Sequence, residues 1–212
     1  MGSSIRHRRR SLQGRGAPVT PRPSQRDSIM CAALTCFAHT GYDGTRVRQI
    51  AQAAGVSEGA LYKHFASKEQ LARDLYLQGL GIFADALKQA AEGAAVPVDK
   101  LRRMAARVLT GYRELPDEFA YVLLQAPPAA ACDLPSDRDL PIDVVAGIIE
   151  QGQAEGSVRQ GDARTLSASF LGCLLQRIVI SRSTPSCVSD LLHDDSSDEM
   201  LVESAIGAVV AH

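Results

Sequence analysis

The chain has 212 residues, a mass of 22.7 kDa and a formal net charge of −1, which is enough for one ordinary domain or two small ones. Hydrophobic residues make up 45% and charged residues 22% of it, a composition typical of globular proteins rather than disordered ones. The longest apolar runs are interrupted short of the roughly 20 residues that a membrane span needs, and no apolar stretch follows the basic N-terminus as in a signal peptide, so we expect a soluble cytoplasmic protein.

The charges are unevenly distributed. Residues 1–26 contain seven Arg and no acid, residues 27–75 are formally neutral, and residues 76–212 carry a net charge of −8. Residues 1–23 are rich in Arg, Ser, Gly and Pro and have few large apolar side chains, which predicts a flexible, disordered basic arm. The basic end is where we expect a polyanion to bind.

Three helices are predicted after the arm, and the second and third are short. Apolar residues recur at helical spacing over 24–40 and stop before Gly41. Thr45 is a suitable N-cap for a second helix that runs to about residue 53, and Ser57 for a third that runs to about residue 65. A three-residue turn that contains Gly55 joins these two helices, which is the pattern of a helix-turn-helix.

The rest of the chain is predicted to be all-helical. Ser67 and Gln70 form a capping-box pattern that opens a longer helix. Beyond residue 95, proline, glycine and helical periodicity predict helices at about 98–114, 117–126, 140–155, 162–182 and 196–211. The connections at 127–139 and 183–195 are expected to be polar, mobile loops.

One segment resembles the DNA-binding domain of TetR-family transcriptional regulators. The matching residues lie between about Asp27 and Leu75; they are Gly41-Tyr42-Asp43-Gly44-Thr45, Ile50-Ala51, Ala54-Gly55-Val56-Ser57, Gly59, Leu61-Tyr62, His64-Phe65, Lys68 and Leu71. Beyond them only the layout agrees. The resemblance implies a homodimeric repressor whose N-terminal domains bind operator DNA, and whose C-terminal domains bind each other and a small-molecule effector that releases a palindromic operator.

The implied fold is all-α, with an N-terminal three-helix helix-turn-helix domain followed by a larger helical ligand-binding and dimerisation domain. The expected divisions are a disordered arm at 1–23, the DNA-binding domain at 24–70 and the larger domain at 71–212. Neither a cofactor nor a metal is expected.

The resemblance also implies roles for residues of the DNA-binding domain. Thr45, Tyr62, His64 and Lys68 match positions that contact phosphates, which position a protein without reading sequence. The third helix presents an outward face that fits the major groove, made of Ser57, Glu58, Gly59, Tyr62 and Lys63. Base readout then falls to Glu58, Lys63 and either Arg46 or Arg48.

Each of these roles has an ordinary alternative. Tyr62 can instead pack against the first helix, and His64 can be a plain surface histidine. Glu58 is favourable in a first helical turn for its charge alone. Lys68 can be merely the first residue of a capped helix, although a cation there opposes the helix dipole and therefore asks for a negative partner.

Two long helices near the C-terminus are apolar over more than one face, which favours one stripe in the subunit core and another in a four-helix bundle between subunits. The residues predicted to form the dimer interface are Leu171, Leu175, Ile178, Val202, Ile206 and Val209. A single large monomeric core is the alternative.

The family plan places a ligand cavity among the helices at 98–114, 117–126, 140–155 and 162–182. Its candidate lining residues are apolar with a few polar tips; they are Met104, Val108, Tyr112, Phe119, Tyr121, Cys173 and Gln176. Ordinary core packing is the alternative for each.

Enzymatic function is not expected. Gly-x-Ser-x-Gly and Gly-x-Gly-x-x-Gly are absent, and the constellation of His193 with Asp194 and Asp195 lies in a polar connector. The five cysteines form no Cys-x-x-Cys pair, which favours reduced thiols over a disulfide or zinc framework. A purely architectural DNA-binding protein would not need the 137 residues that follow position 75.

Overall fold

The protein was analysed as a computed structural model, which describes residues 24–124, 139–183 and 195–211. Within these ranges the secondary structure is helical and no strand is formed, so the all-α prediction is confirmed. In chain order the helices are α1 (Gln25–Gly44), α2 (Val47–Ala53), α3 (Glu58–His64), α4 (Lys68–Ala91), α5 (Pro97–Glu114), α6 (Pro116–Leu124), α7 (Pro141–Glu155), α8 (Ala163–Ser183) and α9 (Asp195–Gly207). The predicted arm and nearly all of the two predicted mobile loops lie outside the described residues.

Local capping explains most helix starts. Ser24 opens α1 through a reciprocal box with Asp27, in which each side chain accepts from the backbone N–H of the other residue. Ser67 opens α4 by accepting from Gln70 N–H at 3.1 Å, but the Gln70 side chain accepts from Ala66 N–H rather than closing the predicted box on Ser67. In α5 and α7 a proline occupies the first turn, where its missing N–H costs nothing.

The C-terminal end differs from the prediction. The last helix ends at Gly207 rather than at 211. The chain then forms an isolated antiparallel bridge between Val158 and Val210, in which Arg159 N–H donates to Val209 O at 3.0 Å. These backbone bonds to the α7–α8 connection replace helical bonds, so they end the helix early.

Two hydrophobic cores share α4. Its N-terminal part, with Leu71 and Leu75, packs in the core formed by α1, α2 and α3, and its later part, with Phe83 and Leu87, packs in the core of the C-terminal helices. Tyr121 from α6 also lies in the N-terminal core. Packing therefore continues across residue 70, where the sequence suggested a domain boundary.

One helix differs from the prediction that no apolar run is long enough to span a membrane. Among the described residues, the 18-residue window Ala163–Ile180 of α8 is long and apolar enough to cross a membrane, with a mean hydropathy of 1.2. Phe170 and Leu174 of this window are fully buried in the protein. A single such helix is weak grounds for a membrane span, since core helices of soluble proteins meet the same test.

Candidate nucleic-acid interface and ligand cavity

The turn before α3 fixes the angle of this helix. Gly55 has φ +68°, a left-handed conformation that favours glycine, and Val56 N–H donates to Ala51 O at 2.9 Å. Ser57 caps α3 by accepting from Ala60 N–H at 3.1 Å. On the inner face of α3, Leu61 is fully buried in the N-terminal core. The helix is therefore held rigidly while its other face remains open.

The residues that are predicted to contact DNA lie mainly on the outer face of α3. Ser57, Glu58, Gly59 and Lys63 are exposed, and Tyr62 is 49% exposed, which argues against its packing inside the domain. Arg46 and Arg48, beside this helix on α2 and its cap, are exposed as well. This exposure is what DNA contact requires, and the contacts themselves remain predictions.

Thr45 has an internal role instead of the predicted ones. Only 2% of the residue is exposed, and its Oγ1 lies 2.7 Å from both Gly41 O and Thr40 Oγ1. The cap of α2 is Arg46, whose N–H donates to Gln49 Oε1 at 2.7 Å. The capping prediction for Thr45 is therefore wrong, and a phosphate contact by its hydroxyl is not supported because the group is buried.

Lys68 finds its negative partner inside the chain. Its Nζ donates to Tyr42 O at 2.8 Å and to Thr45 O at 3.0 Å, and it lies 4.2 Å from the centre of the Tyr42 ring. These carbonyls end α1, where the helix dipole places partial negative charge. The unfavourable position of the cation at the start of α4 is thus compensated without a phosphate.

His64 is exposed at the end of α3, as a phosphate contact requires. Its Nε2 lies 3.0 Å from Gln25 Oε1 in the first turn of α1. Beside this pair, Arg26 forms a 3.0 Å ion pair with Asp74 and lies over the Phe65 ring. The N-terminus of α1, to which the basic arm is attached, therefore lies at the C-terminal end of α3.

A cavity of about 420 Å³ lies at the junction of the two cores. Its walls come from the first half of α1, the middle of α4, the end of α5 and most of α6. The lining is mainly apolar and includes Met30, Leu34, Ile82, Phe83 and Val122. We call it the junction cavity.

The junction cavity corresponds poorly to the predicted pocket. Of the seven predicted lining residues it includes Phe119 and Tyr121. Met104 and Val108 are fully buried in the C-terminal core, where ordinary packing accounts for them. Tyr112, Cys173 and Gln176 do not line this cavity either.

No sequence signal points directly to the junction cavity. The apolar residues Leu75, Ile82 and Phe83 continue at helical spacing along α4, which indicates a partner for this face. The periodicity does not say which helix covers the face, nor that the covering helix leaves space beside it.

The residues predicted to form the dimer interface lie mainly in the core of one subunit. Ile178 is 1% exposed, and Leu171, Val202, Ile206 and Val209 are also buried within one subunit. Leu175 is partly buried against the same core. The exposed residues of α8 in its later part lie on its other side; among them are Ser169, Gly172, Gln176, Val179 and Ile180.

Comparison with known proteins agrees with the architecture. Residues 29–75 match the family model described as bacterial regulatory proteins, tetR family. The HTH-type transcriptional repressor KstR2 of Mycolicibacterium smegmatis is 31% identical over 156 residues, which are 68% of this chain and 73% of that protein.

Two solved structures share the fold. A TetR-family transcription regulator from Shewanella sp. PV-4 superposes with a TM-score of 0.72 at 22% identity, over 90% of this chain and 100% of the other. AibR, in complex with isovaleryl coenzyme A and operator DNA, superposes with a TM-score of 0.65 at 21% identity, over 87% and 97% of the two chains.

The chain belongs to the TetR family of bacterial transcriptional regulators. It is a ligand-responsive DNA-binding repressor that acts as a dimer on operator DNA, and not an enzyme.

Proposed function

We propose that two subunits place their α3 helices in successive major grooves of a palindromic operator, and that a small-molecule effector in the C-terminal region releases it. The observation that carries this is the rigid mounting of α3, whose inner residue Leu61 is fully buried while its outer face is exposed. Because a two-fold dimer carries two such helices, the half-sites lie about 34–36 Å apart or at a multiple of that distance.

Base readout in this proposal belongs to Glu58 and Lys63. Lys63 suits the acceptors of guanine, and Glu58 accepts from the amino group of cytosine. Arg46 contacts a flanking base, and Arg48 and Tyr62 contact phosphates. His64 and Lys68 keep their predicted phosphate contacts, but their bonds to Gln25 and to the end of α1 give both a structural role as well.

The two predicted domains have different functions. Residues 24–70 bind DNA, and residues 71–212 bind the second subunit and provide most of the contacts to the effector. The exposed side of α8, with Val179 and Ile180, forms part of the dimer contact, because a subunit interface needs apolar surface that the subunit core has not used. The repressor acts in the cytoplasm, where its operator is.

The effector acts by favouring a dimer in which the two α3 helices are wrongly spaced for DNA, with a coupling of about 1–3 kcal/mol. Helix α4 transmits this change from the effector to α3, since it begins beside His64 and ends in the C-terminal core. Linkage requires that operator DNA weaken effector binding by the same factor.

Footprinting with the purified full-length protein tests the operator geometry. We expect protection of a two-fold symmetric site, and one asymmetric site bound by a monomer at all concentrations would contradict the proposal. Among variants, Lys63→Ala should relax sequence preference, whereas Arg48→Ala should weaken all sequences alike and reduce the salt dependence by about one unit of slope. Arg159→Ala, an exposed cation far along the chain, is the matched control and should change neither.

A further inference from the structure

We infer that the effector of this repressor binds in the junction cavity between α1, α4 and α6, and that it is a slim hydrocarbon chain with one polar end. The inference rests on the proposed release of the operator by an effector, and it gives that effector a place and a chemical class. The place differs from the predicted pocket among the C-terminal helices.

The size of the junction cavity suits a small molecule. Its volume of about 420 Å³ falls in the ordinary range of ligand pockets, roughly 300–1,000 Å³. On α4 the lining residues run from Leu75 to Ala86, a rise of about 16 Å at 1.5 Å per residue. A space of this length with modest volume accommodates a long, narrow ligand better than a compact one.

The chemistry of the walls selects an apolar ligand. Met30 and Leu34 line the α1 side, and Ile82 of α4 is 60% exposed despite its size. An exposed isoleucine in a concave site favours an apolar occupant, since covering it removes apolar surface from water. These apolar walls therefore fit a hydrocarbon chain.

The lining includes four polar side chains, Asp27, Gln78, Arg107 and Glu118. Asp27 lies in the first turn of α1, and its carboxylate is already held by Ser24. Arg107 of α5 also lines the cavity, and its guanidinium pairs with Glu114 at 3.2 Å while remaining partly exposed. Arg107 has further N–H donors for a ligand oxygen, so we place the polar end of the effector there.

The position of the cavity connects it to the DNA-binding domain. Tyr121 of α6 lines the cavity and is fully buried in the N-terminal core, where it stacks on Phe37 of α1 at 5.7 Å between ring centres. A ligand between α1 and α6 therefore acts on the same pair of helices that this stack joins. A change in the α1–α6 distance moves the domain that carries α3, because α1 packs on both α2 and α3.

A tethered ligand tests the inference whatever the identity of the natural effector. Cys31 is exposed and lines the cavity, so an alkyl methanethiosulfonate transfers its alkylthio group to the Cys31 thiolate, which forms a mixed disulfide and releases methanesulfinate. The full-length protein carries Cys132→Ser, Cys173→Ser and Cys187→Ser, since Cys173 is also a partly exposed free thiol. Cys36 is partly buried, and burial raises the pKa of its thiol, which slows its reaction. Mass spectrometry verifies that Cys31 is the modified site.

The decyl adduct at Cys31 should weaken operator binding about tenfold or more and raise the melting temperature, because the chain fills the cavity. The methyl adduct should do neither. The positional control is the decyl adduct of a Cys31→Ser, Thr35→Cys variant, since Thr35 is exposed one turn further along α1 but does not line the cavity. This control should bind the operator like the unmodified protein.

Three results would overturn the inference: an unchanged operator affinity of the decyl adduct at Cys31, an equal loss at position 35, or a loss accompanied by a lower melting temperature. Failure of the proposed function looks different. In that case the unmodified protein itself protects no two-fold site.

Discussion

The Tyr121 hydroxyl of α6 donates a 2.9 Å hydrogen bond to the Ala72 carbonyl of α4, 49 positions earlier in the chain. Both residues are buried, and the Tyr121 ring stacks on Phe37 with an angle of 14° between the ring planes. A residue expected to line a pocket in the larger domain thus completes the core of the DNA-binding domain. Through it, α1, α4 and α6 form one packed unit.

Removing this hydroxyl should weaken the unit without dismantling it. In Tyr121→Phe the ring stack with Phe37 is retained and the bond to Ala72 O is lost. We expect the free energy of unfolding to fall by about 1 kcal/mol, measured by chemical denaturation. Tyr62→Phe, at an exposed position of α3, is the control and should be close to neutral.

Tyr121 should also lower the free energy of unfolding at alkaline pH. Burial, assisted by Tyr42 and Tyr76, raises the pKa of Tyr121 above the ordinary value of 10. Below pH 10 the phenol is neutral in both states. Above it the unfolded chain loses the proton while the folded protein keeps it, so the free energy of unfolding falls by up to about 1.4 kcal/mol per pH unit.

Tyr121→Phe should therefore have a shallower alkaline slope than the parent protein. A residual slope is expected in the variant, since burial also raises the pKa of Tyr42 and of Tyr76. Identical slopes above pH 10 would mean that Tyr121 is not protected from ionisation in the folded protein.

Helices α4 and α6 meet at Gly79, where an added Cβ would overlap the Cγ2 methyl of Val122. Gly79→Ala should therefore destabilise the protein by about 1–3 kcal/mol through overpacking, measured by denaturation. Combining it with Val122→Ala should recover part of the loss, because the smaller side chain makes room. Additive losses in the double variant would argue against this contact.

The matched control lies two residues further along the same helix. At Gly81 an added Cβ meets no atom within 4 Å. Gly81→Ala should raise the free energy of unfolding by about 0.5–1 kcal/mol, as expected from the helix propensities of the two residues.

The helix-turn-helix was predictable because its signals are local. Ser57, Ser67 and Gly55 each determine a cap or a turn through neighbours a few positions away. Thr45 shows the limit of such signals. A threonine before a helix has the local pattern of a cap, and its burial depends on contacts with Thr40 and Gly41 across the kink at the end of α1.

Gly59 offers a test that separates folding from DNA binding. A Cβ at this position would meet only Ser57 Oγ, at 4.0 Å, so packing among the described residues does not require glycine. Gly59→Ala should raise the stability by about 0.5–1 kcal/mol but weaken operator binding, if DNA approaches α3 closely there. Unfolding curves and operator titrations of the same variant provide both numbers, and an unchanged operator affinity would mean that DNA does not approach α3 closely at Gly59.

Two adjacent residues of α8 distinguish the subunit core from the dimer contact. Ile178 is 1% exposed, whereas Val179 is 37% exposed. Val179→Glu should yield a folded protein that dimerises and binds operator more weakly. Ile178→Glu should unfold it, since burying a charge in an apolar core is costly. Sedimentation and circular dichroism check both, and a fully dimeric Val179→Glu protein would place the interface elsewhere.

This pair also explains why the sequence alone does not locate the dimer contact. Ile178, Val179 and Ile180 are all apolar, so the sequence indicates a helix with two covered sides but not which side faces the subunit's own core. The sequence does not locate the cavity for a similar reason. Met104 and Phe119 are both large apolar residues on amphipathic helices, and only tertiary packing leaves a space beside Phe119.

The basic arm also has a testable role in DNA binding, although residues 1–23 lie outside the described structure. Residues 27–75 are formally neutral, so much of the attraction to DNA has to come from elsewhere. The arm contains Arg6, Arg8, Arg9, Arg10, Arg15 and Arg22. It is attached next to Gln25, which lies 3.0 Å from His64 at the end of α3, so its point of attachment lies beside the helix that we propose to bind DNA.

Deleting residues 1–22 should therefore weaken operator binding and make it less sensitive to salt. Each phosphate contact that the deletion removes lowers the slope of log K against log salt by about 0.9. Operator preference should stay the same, since arms that bind phosphates or the minor groove add mostly sequence-independent affinity. Operator titrations across a salt series measure both quantities. An unchanged affinity and slope would leave the arm with no part in binding and would assign its charge to solubility alone.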